Sequence, residues 1–260
     1  MQSDLDLART AALAGADVAL RYFADLAALP RERKADGSVV TAADRATEAA
    51  IRAVLAAARP HDAILGEEDG ETGAGARRWI IDPIDGTAQF VAGDDRWLVL
   101  VALEEAGAVV AAVAAVPAQR RVWWARRGGG AFEGPLDGTA ATRIHVTDRS
   151  TPLAGSRLGV IPVAPNLYPS DLAVSAPLSA VAAAVEWDVH AALLVANGSL
   201  DLALQTRGEL WDFAATSLIV TEAGGCYGGA DGIRGPRAGV SLFAADRTLW
   251  TAAHDVLWPG

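Results

Sequence analysis

The chain has 260 residues, of which 52% are hydrophobic and 21% charged, so it can bury one large core or two smaller ones and is not disordered. Its net charge of −10 argues against a nucleic-acid partner, because phosphate backbones are bound by clustered Lys and Arg. Cys226 is the one cysteine, which excludes an intrachain disulfide and a thiolate metal cluster.

The N-terminal residues MQSDLDLART lack a basic region followed by an apolar one, so no secretory signal is predicted. The longest nearly uncharged apolar stretch, residues 106–118, is too short to span a bilayer. We therefore expect a cytoplasmic protein with no membrane partner.

Apolar periodicity predicts the elements of the N-terminal half. A helix is expected from Ser3 to Leu29, stopped by Pro30 and followed by the polar loop RERKADGS. The segment Thr41 to Asp44 has the form of a capping box and begins a second helix that reaches Ala58. Strands are predicted at 63–66, 79–81, 98–103, 109–116 and 121–125.

The pattern is harder to interpret beyond residue 150. Residues 151–186, rich in Pro, Ala and Ser, show no clear period. Further on, helices are predicted at 187–197, at 212–222 and from 246 onward, and strands at 200–204 and 241–244. We expect an N-terminal α+β part over 1–150 and a C-terminal α/β part over 151–260.

Five carboxylates stand where predicted strands or helices begin or end: Asp44, Glu67, Asp82, Asp85 and Asp212. Each alone is explained as a helix cap or a turn residue. Together they favour a Mg²⁺ site, because α/β folds bind ligands at strand carboxyl ends and Mg²⁺ prefers hard oxygen ligands. Pro83 stiffens the chain between Asp82 and Asp85. Gly86 and Thr87 follow, where backbone N–H groups at a helix start can bind phosphate.

Other site chemistries find no support in the sequence. There is no P-loop, no G-x-S-x-G motif and no EF-hand loop. The histidines lack the spacing of a zinc site, and each is interpreted as a surface or packing residue; they are His61, His145, His190 and His254.

Three segments, GEEDG at 66–70, DPIDGT at 82–87 and WDFAATSLIVTEAGG at 211–225, resemble the signatures of the inositol monophosphatase family, which are Mg²⁺-dependent, Li⁺-sensitive phosphatases. KADGSVVTAAD at 34–44 and RRVWWARRGGGAF at 120–132 are most similar to bacterial histidinol-phosphate phosphatases. The resemblance implies an alternating αβαβα sandwich of the inositol monophosphatase and fructose-1,6-bisphosphatase type, with the metals between the two parts. Similar proteins are usually dimers, so a homodimer is expected.

The resemblance also implies roles for single residues. Glu67, Asp82 and the Ile84 carbonyl would hold one Mg²⁺, and Asp82, Asp85 and Asp212 a second, with a third, weaker ion near Glu67. Gly86 and Thr87 would bind the phosphate. The catalytic residues would be Asp44 and Thr87, which orient the attacking water, and Glu67. Asp188 and Gln205 would contact the rest of the substrate.

The sequence departs from the family pattern around the substrate. Gln205 replaces a Glu that binds hydroxyl or amino groups, and a neutral amide attracts a cation less. Ala184 and Trp187 replace the Arg and Gly of the histidinol-phosphate enzymes, although a core or interface role explains Trp187 equally well. Gln89 stands where Asn is common, and the loop GDDRW at 93–97 is unusually charged.

These departures leave the substrate open. The sequence favours a phosphomonoesterase acting on a small phosphorylated metabolite. Histidinol phosphate, inositol 1-phosphate, a sugar, cyclitol or nucleoside monophosphate all fit. A bisphosphate substrate would need additional basic side chains for its second phosphate, and Arg96, Arg126 and Arg207 are candidates. The alternative from another class is a catalytically silent binding module that kept the fold.

Overall fold

The computed structural model describes residues 2–29, 31–33, 39–147 and 151–259. The helices of these residues are α1 (Asp4–Phe23), α2 (Ala42–Ala58), α3 (Thr87–Ala92), α4 (Pro169–Ser179), α5 (Ala191–Ala196), α6 (Leu210–Glu222) and α7 (Arg247–Leu257). The strands are β1 (Arg31–Arg33), β2 (Val39–Thr41), β3 (Ala63–Gly66), β4 (Gly70–Thr72), β5 (Arg77–Asp85), β6 (Leu98–Glu105), β7 (Ala108–Val116), β8 (Arg121–Arg126), β9 (Gly130–Pro135), β10 (Thr142–Ile144), β11 (Arg157–Ile161), β12 (Ala183–Ala184), β13 (Leu202–Gln205), β14 (Cys226–Gly228) and β15 (Ser241–Ala244).

The strands form two large sheets and a short ribbon. The first sheet has eight strands in the order β10-β9-β8-β7-β6-β5-β3-β4. Its pairs are antiparallel except for β3 and β5, which run parallel. The second sheet has five strands in the order β12-β11-β13-β15-β14, with β12, β11 and β13 parallel. The ribbon pairs β1 with β2.

The helices separate the sheets into layers. Helices α1 and α2 pack on one face of the eight-stranded sheet, and α5 and α6 lie between its other face and the five-stranded sheet. Helices α4 and α7 cover the outer face of the second sheet. This arrangement is the predicted αβαβα sandwich.

Successive side chains of β5 point to opposite faces of the sheet and pack into two different core layers. Trp79 and Ile81 are fully buried under α1 and α2, whereas Ile80 faces α5 and α6. Side chains of a strand alternate between its faces, so a strand covered on both sides reads as a continuous apolar run. The run Trp-Ile-Ile before Asp82 therefore belongs to a strand that is buried on both of its faces.

Helix α2 confirms the predicted capping box. The Thr41 hydroxyl accepts a hydrogen bond from the backbone N–H of Ala43 at 3.0 Å, and Asp44 Oδ2 accepts one from the backbone N–H of Thr41 at 2.8 Å. These bonds satisfy donors that a helix start leaves unpaired.

Several predicted boundaries are wrong. The first helix ends at Phe23, and Leu26–Ala28 form a separate 3₁₀ turn. The expected polar loop begins with strand β1, and residues 34–38 lie outside the described residues. The helix expected from 187 begins at Ala191. The division at residue 150 stays a prediction. Within the described ranges, no helix combines the length and apolarity needed to cross a membrane.

Candidate active site

Asp82 and Asp85 lie in the last residues of β5, which continues past the predicted end at Ile81. Asp82 pairs with Leu100 of β6, and Asp85 pairs with Leu98, so β5 carries one extra residue between the two pairs. In a regular strand, residues three apart point to opposite faces. The extra residue is a β-bulge, which re-aims the chain and lets both carboxylates reach one site.

Glu67 comes from the neighbouring parallel strand. Gly66 of β3 pairs with Ile81 of β5, and the backbone N–H of Glu67 donates to the carbonyl of Ile81 at 3.3 Å. Parallel strands end at the same edge of a sheet. Glu67 and Asp82 therefore leave their strands side by side.

Asp212 reaches the same place from the first turn of α6. Its Oδ2 accepts a short hydrogen bond from the backbone N–H of Glu209. One carboxylate oxygen from each of Asp82, Asp85 and Asp212 lies within 4.8 Å of the others. The structure thus brings together three of the five predicted carboxylates, which we name the carboxylate cluster.

The carboxylate cluster is electrostatically strained. Burial, together with repulsion from neighbouring carboxylates that include Glu67, raises the pKa of Asp82 and of Asp85 well above the usual range. Burial raises the pKa of Asp212 to about 6, although the hydrogen bond from Glu209 acts in the opposite direction. In the described part of the chain, no arginine forms an ion pair with these three residues.

The donor set fits a hard divalent cation. Asp82 Oδ1 and Asp85 Oδ2 are buried and have no hydrogen-bond partner within the described residues. Buried charges are normally paired or bound to a metal, because an unpaired one is costly. The donors are all oxygens, which suits Mg²⁺ and not zinc. The carboxylate cluster could therefore hold the metal that the sequence predicts.

Asp44 and Thr87 form a hydrogen-bonded pair beside the carboxylate cluster. The Thr87 hydroxyl lies 3.1 Å from Asp44 Oδ1 and also 3.1 Å from the carbonyl oxygen of Ile84. The other carboxylate oxygen of Asp44 accepts from Thr41. Burial raises the pKa of Asp44, and these hydrogen bonds partly offset that rise. The predicted contact is present, and the catalytic role of the pair stays a prediction.

Gly86 connects β5 to helix α3. Its φ of 91° is a left-handed conformation that favours glycine, and it allows the chain to reverse immediately after Asp85. Thr87 is the first helical residue, so its hydroxyl and the carbonyl of Ile84 are held in one tight segment.

The two predicted substrate residues have different environments. Gln205 ends β13, is 4% exposed, and its Oε1 has no hydrogen-bond partner in the described part of the chain. Asp188 is exposed, and its carbonyl accepts a hydrogen bond from Gln119 at 2.6 Å. Asp188 lines a surface cavity with Arg121 and Asn197. Its contacts do not bring it to the carboxylate cluster, and its substrate role stays a prediction.

The charged loop 93–97 contacts Trp187 through the side chain of Arg96. Arg96 is paired with Asp94 at 2.9 Å, donates to the carbonyl of Trp187 at 3.1 Å, and stacks on the indole of Trp187. Trp187 is 5% exposed, and its Nε1 donates to the carbonyl of Val160. Trp187 is therefore a core aromatic.

Two of the three arginines considered for a second phosphate are held in ion pairs. Arg96 is engaged by Asp94, and Arg207 forms a short ion pair with Asp171. Arg126 is exposed at the end of β8. This arrangement weakens the bisphosphate alternative.

His190 is a site residue that the sequence interpretation missed. It is 2% exposed, neither ring nitrogen has a hydrogen-bond partner within the described residues, and Nε2 lies 3.7 Å from Asp85 Oδ2. Burial lowers the pKa of His190 to about 4. A single histidine forms no spacing pattern from which a site could be predicted. The ring contact with Trp187 agrees with its interpretation as a packing residue, whereas its position beside Asp85 was not expected.

Comparison with known proteins agrees with this geometry. The inositol monophosphatase family model matches residues 1–256. Histidinol-phosphatase of Streptomyces coelicolor is 39% identical over 234 residues, which cover 87% of this chain and 85% of that protein. Inositol-1-monophosphatase of Rhizobium meliloti is 31% identical, with 91% and 89% covered. The crystal structure of the extragenic suppressor protein suhB of Bartonella henselae superposes with a TM-score of 0.82 at 27% identity, covering 98% of both chains.

The chain belongs to the inositol monophosphatase family. It is accordingly a phosphoric monoester hydrolase, and the substrates of this class are small phosphorylated molecules. The predicted family and the predicted layered fold are both confirmed.

Proposed function

We propose that the protein is a Mg²⁺-dependent phosphomonoesterase that hydrolyses a small phosphorylated metabolite with a metal-activated water. The carboxylate cluster supports this proposal most strongly, because Asp82 and Asp85 present buried, unpartnered oxygens and no arginine of the described residues pairs with them. Ionised carboxylates buried in this way are costly unless a cation pairs with them, so the cluster favours cation binding.

Two or three ions are proposed. Glu67, Asp82 and the carbonyl of Ile84 would hold one, and Asp82, Asp85 and Asp212 a second. A third, weaker ion would bind near Glu67, which is proposed as a catalytic residue as well as a metal ligand. Bound Mg²⁺ supplies a more acidic water and stabilises charge on the attacking and leaving oxygens.

The remaining chemistry belongs to side chains beside the cluster. The Thr87 hydroxyl lies between Asp44 and the Ile84 carbonyl, so the pair Asp44–Thr87 can hold the attacking water and accept its proton. The backbone at Gly86 and Thr87 would bind the phosphate. Substrate selection would fall to Gln205 and Asp188.

Histidinol phosphate is the first specific substrate to test, because a relative with 39% identity is named histidinol-phosphatase. Gln205 counts against it, since a neutral amide binds an ammonium group less strongly than a carboxylate does. Inositol 1-phosphate and sugar, cyclitol or nucleoside monophosphates remain in the proposal. Inhibition by Li⁺, assembly as a homodimer and a place in the cytoplasm belong to it as well.

The proposal is tested by phosphate release from a panel of phosphomonoesters with Mg²⁺, with and without Li⁺. The panel contains histidinol phosphate, inositol 1-phosphate, fructose 1,6-bisphosphate, adenosine bisphosphate, nucleoside monophosphates and sugar phosphates. Asp85→Asn removes one cluster carboxylate, and Asp137→Asn changes an exposed aspartate as the matched control.

We expect Mg²⁺-dependent turnover of at least one substrate, lost in Asp85→Asn and kept in Asp137→Asn. Turnover that persists after chelation, or an Asp85→Asn enzyme with wild-type activity, would contradict the site assignment.

A further inference from the structure

Glu48 is a buried carboxylate that the proposed mechanism does not use. It lies on α2 one helical turn after Asp44 and is 0% exposed. Residues four apart share one face of a helix, so α2 presents Asp44 toward Thr87 and Glu48 toward the end of β3. A buried carboxylate requires hydrogen-bond donors to be stable, and the position of those donors indicates its role.

The backbone donors to Glu48 come from the Glu67 turn, which we define as residues 66–70. Oε2 of Glu48 accepts from the backbone N–H of Glu68 at 2.8 Å, and Oε1 accepts from the backbone N–H of Asp69 at 3.1 Å. These are the two residues that directly follow Glu67. Hydrogen bonds to an ionised acceptor are stronger than neutral ones, so this contact fixes the turn firmly.

Arg52 completes the contact from the next turn of α2. Its Nε donates to Glu48 Oε1 at 2.7 Å, and the rest of its guanidinium donates to the carbonyl of Gly70 and to the Thr72 hydroxyl. Glu48 therefore holds the first half of the Glu67 turn, and Arg52 holds its end. The arginine also compensates the charge of Glu48 close to an already acidic site.

Gly66 shows how closely Glu48 approaches. A Cβ on Gly66 would lie 2.2 to 2.6 Å from the carboxylate atoms of Glu48. A side chain at this position would displace the Glu48 carboxylate, so glycine allows the carboxylate to lie against the backbone here. Glu67 is thus bordered on both sides by residues in contact with Glu48.

We infer that Glu48, supported by Arg52, is a positioning residue that aims the Glu67 carboxylate at the metal site. The inference rests on the proposed function, because Glu67 is there a magnesium ligand. Glu48 acts through Glu67 and does not touch metal or substrate. Residues that orient metal ligands typically change metal affinity by about 10- to 100-fold when they are replaced.

The test measures Mg²⁺ affinity by calorimetry for wild type and Glu48→Gln. The substitution keeps size and shape but places an amide N–H₂ where an acceptor is needed. Glu104→Gln is the matched control, because Glu104 also pairs with an arginine, Arg78, at the opposite end of β5. We expect roughly tenfold weaker Mg²⁺ binding in Glu48→Gln and no change in Glu104→Gln.

A double-mutant cycle with Glu67→Gln separates positioning from general destabilisation. If Glu48 acts through Glu67, then Glu48→Gln should weaken Mg²⁺ binding by less than about twofold once Glu67 is already replaced. An equal loss in both backgrounds would overturn the inference, as would an unchanged affinity in the Glu48→Gln single variant.

Amide hydrogen exchange of the metal-free protein tests the turn itself. Protection of the Glu68 and Asp69 amides should fall in Glu48→Gln and stay unchanged in Glu104→Gln; unchanged protection in both would overturn the inference. Arg52→Gln changes a side chain 13% exposed and should act in the same direction if Glu48→Gln does not fold. A wild-type protein that binds no Mg²⁺ would overturn the proposed function, and the positioning of a metal ligand with it.

Discussion

The imidazole of His190 faces the carboxylate of Asp85, with Nε2 and Oδ2 3.7 Å apart. Both atoms are buried and lack a hydrogen-bond partner within the described residues. Because burial lowers the pKa of His190 to about 4, the ring is uncharged near neutral pH and does not neutralise its neighbour. The negative charge of the carboxylate cluster is therefore left for a bound cation.

The cluster should make the metal-free protein less stable as the pH rises. Asp212 has a pKa of about 6 in the folded state against an ordinary value of 3.8. Between these values the folded state binds more protons than the unfolded state, so stability falls with rising pH. This group should cost on the order of 1 to 3 kcal/mol by neutral pH.

Urea denaturation in EDTA at about pH 5 and about pH 7 measures that loss. Asp212→Asn should reduce it, because the amide does not ionise, and Asp137→Asn should leave it unchanged. Asp82 and Asp85 contribute in the same direction, so part of the loss should remain. An Asp212→Asn protein with the wild-type slope would show that Asp212 is not the source.

His190 should contribute a pH dependence of opposite sign. Its pKa falls from 6.5 to about 4 on folding, so the unfolded state binds more protons in that interval and stability is lost as the pH falls through it. His190→Leu removes this loss and should gain on the order of 2 kcal/mol relative to wild type between about pH 7 and pH 5.

The same denaturation experiment checks this prediction, with His145→Leu at an exposed position as control. The gain should grow as the pH falls. A His190→Leu gain that is equal at both pH values would mean that removal of an unpartnered polar ring, and not its protonation, is responsible.

Thr87 should act on turnover more than on binding. Its hydroxyl has one proton and two acceptors at 3.1 Å, Asp44 Oδ1 and the Ile84 carbonyl. Thr87→Ala should lower kcat by roughly 10²- to 10⁴-fold, the range for loss of a positioned proton-transfer group, while KM changes little. Thr87→Ser keeps the hydroxyl and should recover most of the activity in steady-state kinetics.

A raised KM with unchanged kcat in Thr87→Ala would instead assign the hydroxyl to ground-state phosphate binding. Asp44→Asn provides the complementary measurement. If the two residues act as a pair, the double variant should be no slower than the slower single variant.

The part of the site that lies within one short motif could be predicted from the sequence. DPIDGT places Asp82, Asp85 and Thr87 at the end of one strand, and the sequence locates that strand through its apolar run. The bulge between Asp82 and Asp85 was not predictable, because it depends on pairing with Leu98 and Leu100 of β6. Local patterns do not encode register with a distant strand.

The secondary structure of residues 151–186 could not be predicted from the sequence, for a physical reason. One of its two strands, β12, has only two residues and lies at the edge of the sheet. Helix α4 contains Pro169 and Pro177 and buries few side chains, of which Leu178 is one. Such elements are stabilised by tertiary packing and carry little periodic signal. His190 follows this segment, which is why its place beside Asp85 emerges only from the fold.

Gln205 should decide between charged and neutral substrates. It is buried at the end of β13, and its Oε1 has no hydrogen-bond partner within the described residues, so its hydrogen-bonding capacity is unused in the ligand-free protein. Gln205→Glu introduces a carboxylate, and a charge-assisted hydrogen bond to an amine is about twice as strong as a neutral one. The ratio of kcat/KM for histidinol phosphate over a sugar phosphate should rise by roughly tenfold.

Gln205→Leu is the matched control, because it keeps similar bulk without hydrogen-bonding capacity. It should lower kcat/KM for both substrates and leave their ratio nearly unchanged. If Gln205→Glu shifts the ratio no more than Gln205→Leu does, residue 205 does not contact the part of the substrate that differs. Selection would then fall to Asp188 or to the segment around Trp187, and the same pair of substrates measured in Asp188→Asn distinguishes these two.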